Sequence, residues 1–321
     1  MDFILKFNIK KSIPIYILFF ILLHCSNYSR EVRMELYGAA YCRSTMVLYS
    51  GDTPTKEKVR EYLLDPILSA RYSPKAIRIA SAYGFAEELK KHTLLKSKMA
   101  RDSSKSQEIM DLEIFILKKI NLVVIDISSI ASEMNCYIDR FTEILTMMKE
   151  KEDDIESSNT IYAIMSGAIA AIIDGLTIYD NNINQKVIIT GGLLVSYFSY
   201  LAYKPLVTVE FRPRSTNLKD IWNNPEKTEN YSTAMWFLMT KKINDADDPT
   251  YRDLLINRWI DNNFLGEAGE ERERLVDLFF GKGGVSTYTN LYNRREMITQ
   301  IRTIISLFEQ DTRALSVEFL K

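Results

Sequence analysis

Apolar residues recur in steps of three and four along the middle of the chain. They fall at Ile109, Leu112, Ile116, Ile120, Val123, Ile127, Ile130, Met134, Ile138, Phe141, Leu145 and Met148. This spacing keeps one helix face apolar and predicts a single helix over residues 104–153. Such a helix has about fifty residues and is roughly 75 Å long. Ser104 and Gln107 stand at capping-box spacing before it. Near-heptad steps with occasional paired fours suit a bundle or coiled-coil helix. With no carboxylate pair in the stripe, the helix reads as structural. The charge run KEKEDDIE, residues 149–156, reads as its solvated end.

Two later stretches lack a polar face. Residues 161–179, IYAIMSGAIAAIIDGLTIY, and 186–203, KVIITGGLLVSYFSYLAY, are joined by the polar turn DNNINQ. A helix apolar all round is buried in protein or in lipid. Ala163, Gly167, Ala171 and Gly175 recur at every fourth residue, and Gly192 and Ser196 repeat the spacing. Small residues on one face let two backbones approach closely, so these six are the expected packing seam of a helical hairpin. Each run is slightly shorter than the roughly 20 residues of a membrane span. Tyr162, Tyr179, Tyr200 and Tyr203 stand near the run ends, as interfacial aromatics do. A transmembrane hairpin and a buried bundle centre both fit the pattern.

The remaining elements are shorter. A helix is expected over residues 31–49. Asp52-Thr53-Pro54 starts another, Pro66 breaks it, and Ser73-Pro74 opens one that runs to Leu95. LVTVEF, residues 206–211, alternates like a strand and stands alone in doing so. Helices follow over 218–222, 233–243, 249–264 and 270–280, with Ser232 and Asp248-Pro249 as caps and Gly266 and Gly281 as stops. A last helix opens at Thr287 or Thr289 and passes through Leu315. Trp222, Trp236 and Trp259 give this C-terminal part a core of its own. The expected fold class is all-α: long amphipathic helices, a central apolar helical hairpin and a C-terminal helical bundle.

Composition narrows the function. Lys and Arg total 41 against 42 Asp and Glu. A near-neutral chain lacks the basic footprint of a nucleic-acid binder. Three lysines, Lys6, Lys10 and Lys11, precede an apolar run from Ile13 to Leu23, and Leu22-Leu23-His24-Cys25-Ser26 follows. A basic region and a short apolar region are the parts of an export signal. Ending on a cysteine, this N-terminus resembles the lipobox of bacterial lipoproteins. The resemblance implies cleavage before Cys25 by signal peptidase II, and lipid (palmitate) on Cys25. Ser26 in place of aspartate implies an outer-membrane address facing the periplasm. Of the other cysteines, Cys42 and Cys136 either pair in an oxidising compartment or remain buried thiols.

Candidate chemistry is sparse. The stretch from Gly281 to Thr287, GKGGVST, resembles part of a phosphate loop but lacks its spacing and its preceding strand, so a helix stop and turn explains it better. His92 reads as a surface helix residue with no partner for metal or catalysis. No catalytic residue, metal ligand or cofactor is assigned. The expected divisions are a signal peptide 1–24, a lipid-anchored tether 25–53, a long-helix region 54–156, the hairpin 157–204 and a C-terminal helical domain 205–321. Together these point to a non-enzymatic, membrane-anchored lipoprotein with a structural or interaction role in the bacterial cell envelope. Its expected partners are the lipid bilayer, other envelope proteins and possible self-association, with no nucleic acid. Two alternatives stand beside this reading: a membrane-inserting or pore-forming protein that uses the hairpin, and a hydrolase with a dispersed site.

Overall fold

The computed structural model describes residues 32–35, 42, 54–99, 106–176, 192–200, 207–211, 217–242 and 249–321. The fold is all-α, with three short strands among the described residues. In chain order the elements are β1 (Val32–Glu35), α1 (Lys56–Leu64), α2 (Pro66–Ser69), α3 (Pro74–Ala82), α4 (Ala86–Met99), α5 (Ser106–Leu176) and α6 (192–200). Then come β2 (Val207–Phe211), α7 (Asn217–Asn223), α8 (Thr233–Thr240), α9 (Tyr251–Asp261), α10 (Glu270–Phe280), β3 (Gly284–Ser286) and α11 (Tyr288–Leu320). The strands form one sheet in the order β1-β2-β3. The 206–211 alternation therefore has strand partners. The start of the expected 31–49 helix is strand instead, which gives β2 the neighbour a single strand needs.

The chain divides into two compact units, Met1–Met34 with Thr146–Val209, and Glu35–Leu145 with Glu210–Lys321. The second unit is built around two short helices. α3 buries Ala76, Ile77, Ile79, Ala80, Ser81 and Ala82, and α8 buries Ala234 through Met239. Helices α1, α4, α8 and α11 all pack on α3. Helices this short have marginal stability alone, so packing and caps hold them. Ser73 Oγ accepts from Ala76 N, Asp65 Oδ1 accepts from Ile67 and Leu68 N, and Ser232 Oγ accepts from Met235 N. Thr250 and Asp253 make a capping box for α9. The helix expected to run from Ser73 to Leu95 is two helices. Gly84, at φ 72°, takes the left-handed conformation that ends α3 and lets α4 turn back.

The tryptophans belong to this unit's core. Trp259 is fully buried, Trp222 stacks on Phe280 at 4.7 Å, and Trp236 Nε1 donates to the Pro225 carbonyl. The GKGGVST stretch ends α10 at Gly281, passes through Gly283 and Gly284 at positive φ, and enters β3. Thr287 Oγ1 then caps α11 by accepting from Asn290 N. Helix stop, turn and helix start account for every residue of it.

The long helix exceeds its expected length. α5 runs for 71 residues, through the charge run and into the first apolar stretch. KEKEDDIE is thus mid-helix: Lys149 pairs with Asp153 at 2.7 Å in i,i+4 register, which supports a helix interior. The expected cap at Ser104 lies outside the described residues.

The hairpin sits in the first unit, and its turn and the residues 177–191 lie outside the described residues. Tyr162 of α5 meets Phe198 of α6 at 5.6 Å between ring centres. Ile161, Ile164, Met165, Leu193, Tyr197 and Tyr200 are exposed. Among the described residues no helix is long and apolar enough to cross a membrane. Two features dilute the transmembrane pattern. α5 reaches its apolar stretch from a mostly charged run through the polar Ser157-Ser158-Asn159-Thr160, and Ser166 and Asp174 interrupt that stretch.

Candidate functional site

The buried polar groups of the second unit gather along α5 and the elements that cover it. Asp126 and Glu133 are both buried, seven residues apart and therefore on one helix face. The apolar stripe thus contains a pair of buried carboxylates, against the expectation that it held none. Their register was legible. Asp126 stands three residues after Val123 and four before Ile130, and Glu133 three after Ile130. Asp126 Oδ2 accepts from Tyr83 Oη at 2.7 Å and from Ser232 Oγ at 2.5 Å. Tyr83 follows α3 and Ser232 caps α8, so one carboxylate ties α5 to both central helices. A buried carboxylate is tolerated only when hydrogen bonds replace its hydration.

A second grouping surrounds Arg294 of α11. This side chain is 2% exposed. Its Nη1 donates to the Phe279 carbonyl at 2.8 Å, its Nε has no partner, and its guanidinium lies 4.6 Å from the Phe211 ring centre and 6.0 Å from that of Phe141. The two rings meet edge to face. Cation–π attraction offsets part of the lost hydration. Burial still holds the guanidinium down to about 9. Arg294 stands three residues after Leu291 and three before Met297, both buried. The helix period therefore places it inward, and it too could have been found from spacing.

Arg294, Tyr137, Asn217, Met134 and Phe211 line a void of about 10 Å³, the space of roughly one water molecule. Asn217 Oδ1 is a second buried atom without a partner there, while its Nδ2 donates weakly to Met134 Sδ at 3.6 Å. The void is too small for an organic substrate. Its polar groups hold helices together and bring no nucleophile to a base. Among the described residues no three potential metal ligands cluster.

A buried cation relieved mainly by aromatic rings costs stability. Replacing it by an apolar side chain of similar length should therefore help. Arg294→Met is expected to raise the unfolding free energy at neutral pH by about 1–3 kcal/mol. A folded-state value below the unfolded one means the unfolded chain binds more protons from about 9 up to the ordinary arginine range, so the parent gains stability as pH rises through that window. The advantage of the variant should shrink there. Urea melts of both proteins on either side of pH 9 check this, and a constant or growing gap would contradict it.

The residues singled out from sequence are scattered. Ala163 is buried, and a Cβ added at Gly167 would touch Val195 Cγ2 at 3.6 Å. Ala171 is exposed. Gly192 has no atom within 4 Å of such a Cβ, and Ser196 is exposed with its hydroxyl on the Gly192 carbonyl. The surroundings of Gly175 and the whole of Cys25 lie outside the described residues. His92 is a correction. It is 2% exposed, packs on Phe319 at 5.1 Å and shares a hydrogen bond with Glu113 at 3.1 Å. It faces inward because the C-terminal end of α11 covers this side of α4, a contact between elements more than 200 residues apart. Cys42 and Cys136 form a disulfide.

The chain matches no family model, no curated protein and no solved structure.

Proposed function

We propose that this chain is a non-enzymatic lipoprotein of the bacterial envelope, held at a membrane through Cys25 and acting by structure and by contact with other proteins. The observation that carries the reading is the Cys42–Cys136 bond. Such bonds persist in exported proteins and are rare where thiols are kept reduced. The chain has three cysteines, so this pairing leaves Cys25 as the odd one out, and an odd cysteine in an exported protein needs its own explanation. The lipobox resemblance supplies one: the thiol is consumed by lipid. Ser26 supports an outer-membrane address, with the body of the protein in the periplasm.

A second reading has its own support. Ile161, Ile164, Met165, Leu193, Tyr197 and Tyr200 expose apolar surface from both arms of the hairpin. In this reading the hairpin lies in or enters the bilayer and adds to the hold of the acyl chains, since one chain alone binds marginally.

Metabolic labelling with palmitate separates the possibilities. Parent protein is expected to carry label, and Cys25→Ala to lose all of it. Unlabelled parent in the soluble fraction would sink the lipoprotein reading. Carbonate extraction of Cys25→Ala then tests the hairpin: retention with membranes, together with dye leakage from liposomes, supports the second reading, and release without leakage removes it.

A further inference from the structure

The first half of α5 is apolar on two sides. Its buried side carries Ile109, Ile116, Ile120, Val123 and Ile127. Some 120° around the helix by its period, Met110, Ile114, Leu117 and Val124 are 49%, 46%, 44% and 44% exposed. Large apolar residues grouped on one exposed face mark a contact surface. The steps from Met110 to Ile114, Leu117, Asn121, Val124 and Ser128 are four, three, four, three and four. That is the heptad seam of a coiled coil, with Ile114, Asn121 and Ser128 at the first core position and Met110, Leu117 and Val124 at the second.

We infer that this seam pairs with the same seam of a second copy, the two α5 helices running parallel. Three features select that occupant. In the heptad that holds them, Ile114 at the first core position and Leu117 at the second favour two strands. Asn121 is exposed and stands between the apolar Leu117 and Val124 of the stripe, where a lipid surface or an apolar groove would leave its amide unpaired. Across a parallel two-fold axis Asn121 meets Asn121 of the second copy, and the two amides satisfy each other, fixing register and strand number. Finally, Glu113 flanks the seam on one side and Lys118 on the other. In parallel register Glu113, which through Oε1 also meets His92 and Lys96 of its own chain, faces Lys118 of the second copy, so the charges are complementary under the same symmetry that pairs the amides. An antiparallel arrangement that overlaps the whole seam would set Asn121 against Leu117 and bury an amide with no acceptor.

The seam, from Met110 to Ser128, spans fewer than three heptads before Ala131 turns inward. An interface this short is near the lower limit for stable pairs, so a dissociation constant on the order of micromolar is expected. The dimer does not require the acyl anchor, so its test and that of the lipoprotein reading fail separately.

The purified full chain is examined by sedimentation across its accessible concentration range, beside Leu117→Lys and Asn121→Cys. Position 117 is solvent-facing, so unchanged thermal melting of Leu117→Lys shows that its fold is intact. The expected results are a concentration-dependent dimer, at least roughly a hundredfold weaker association for Leu117→Lys, and, with Cys25→Ala removing the other unpaired thiol, an oxidation-dependent crosslinked dimer with Asn121→Cys that Cys25→Ala alone does not form. A monomeric mass throughout would overturn the inference. So would a dimer unaffected by Leu117→Lys, a dimer in which Asn121→Cys fails to crosslink, or a monomer that uses this face to bind vesicles.

Discussion

Cys136→Ser is expected to lower the free energy of unfolding by about 3–5 kcal/mol. The bond joins residues 94 apart in sequence, and the chain-entropy account assigns about 4.5 kcal/mol to closing a loop of that size in the unfolded ensemble. The effect acts mainly on the unfolded chain, so native contacts of the variant should be unchanged. It also bears on α5, which carries the half-buried Cys136. Urea melts of three samples measure it: parent oxidised, parent reduced, and the variant. The last two should superimpose at a midpoint well below the first. Coincidence of all three would mean that the bond contributes nothing to the stability of the isolated protein.

Asp126→Ala is expected to cost about 2–4 kcal/mol. The carboxylate is the acceptor for the Tyr83 and Ser232 hydroxyls, and its removal breaks two buried hydrogen bonds, at about 1–3 kcal/mol each before relaxation. Ser232 also caps α8 through its Oγ, so a reoriented hydroxyl there weakens the start of that helix. Tyr83→Phe removes one donor and leaves the acceptor in place, and should cost about 1 kcal/mol. The double variant should then cost less than the two single changes together, because they share one hydrogen bond. Chemical denaturation of the four proteins measures the coupling. Strict additivity would show that the Tyr83–Asp126 contact does not operate in solution.

These two predictions rest on groups of different legibility. Cys136 falls in the predicted long helix, but its partner stands 94 residues away, and no local pattern relates the two. Asp126 reads at first as one more polar residue between isoleucines. Its offsets from Val123 and Ile130 place it on the buried face, so periodicity alone reveals its burial. The identity of its donors, Tyr83 and Ser232, comes only from the packing of α3 and α8 on α5. His92 shows the opposite limit: nothing in Lys90-Lys91-His92 indicates that Phe319 lies over it.

Helix boundaries follow the same division. The caps at Ser73, Ser232 and Thr287, the break at Pro66 and the span of α10 are written in local residues, because capping and proline chemistry act within four positions. The continuation of α5 through KEKEDDIE is less readable. A charge run is compatible with a helix end or with an exposed helix interior, and i,i+4 pairing such as Lys149–Asp153 is open to both. β1 is not legible from its own residues because a strand is defined by its neighbour, and β2 lies more than 170 residues away.

The amino-acid order by itself determined the all-α class, the period and the inward face of α5, most helix starts and stops, and the cysteine count that makes Cys25 the odd one. All of these are set by interactions within a turn or two of the chain, or by simple enumeration. The tertiary structure alone decided which apolar helices are central, which cysteines join, that Arg294 lies against Phe211 and Phe141, and that a second apolar stripe on α5 stays uncovered. Burial depends on what arrives from elsewhere in the chain. Two stripes of equal hydrophobicity on one helix cannot be told apart until the other elements have taken one of them.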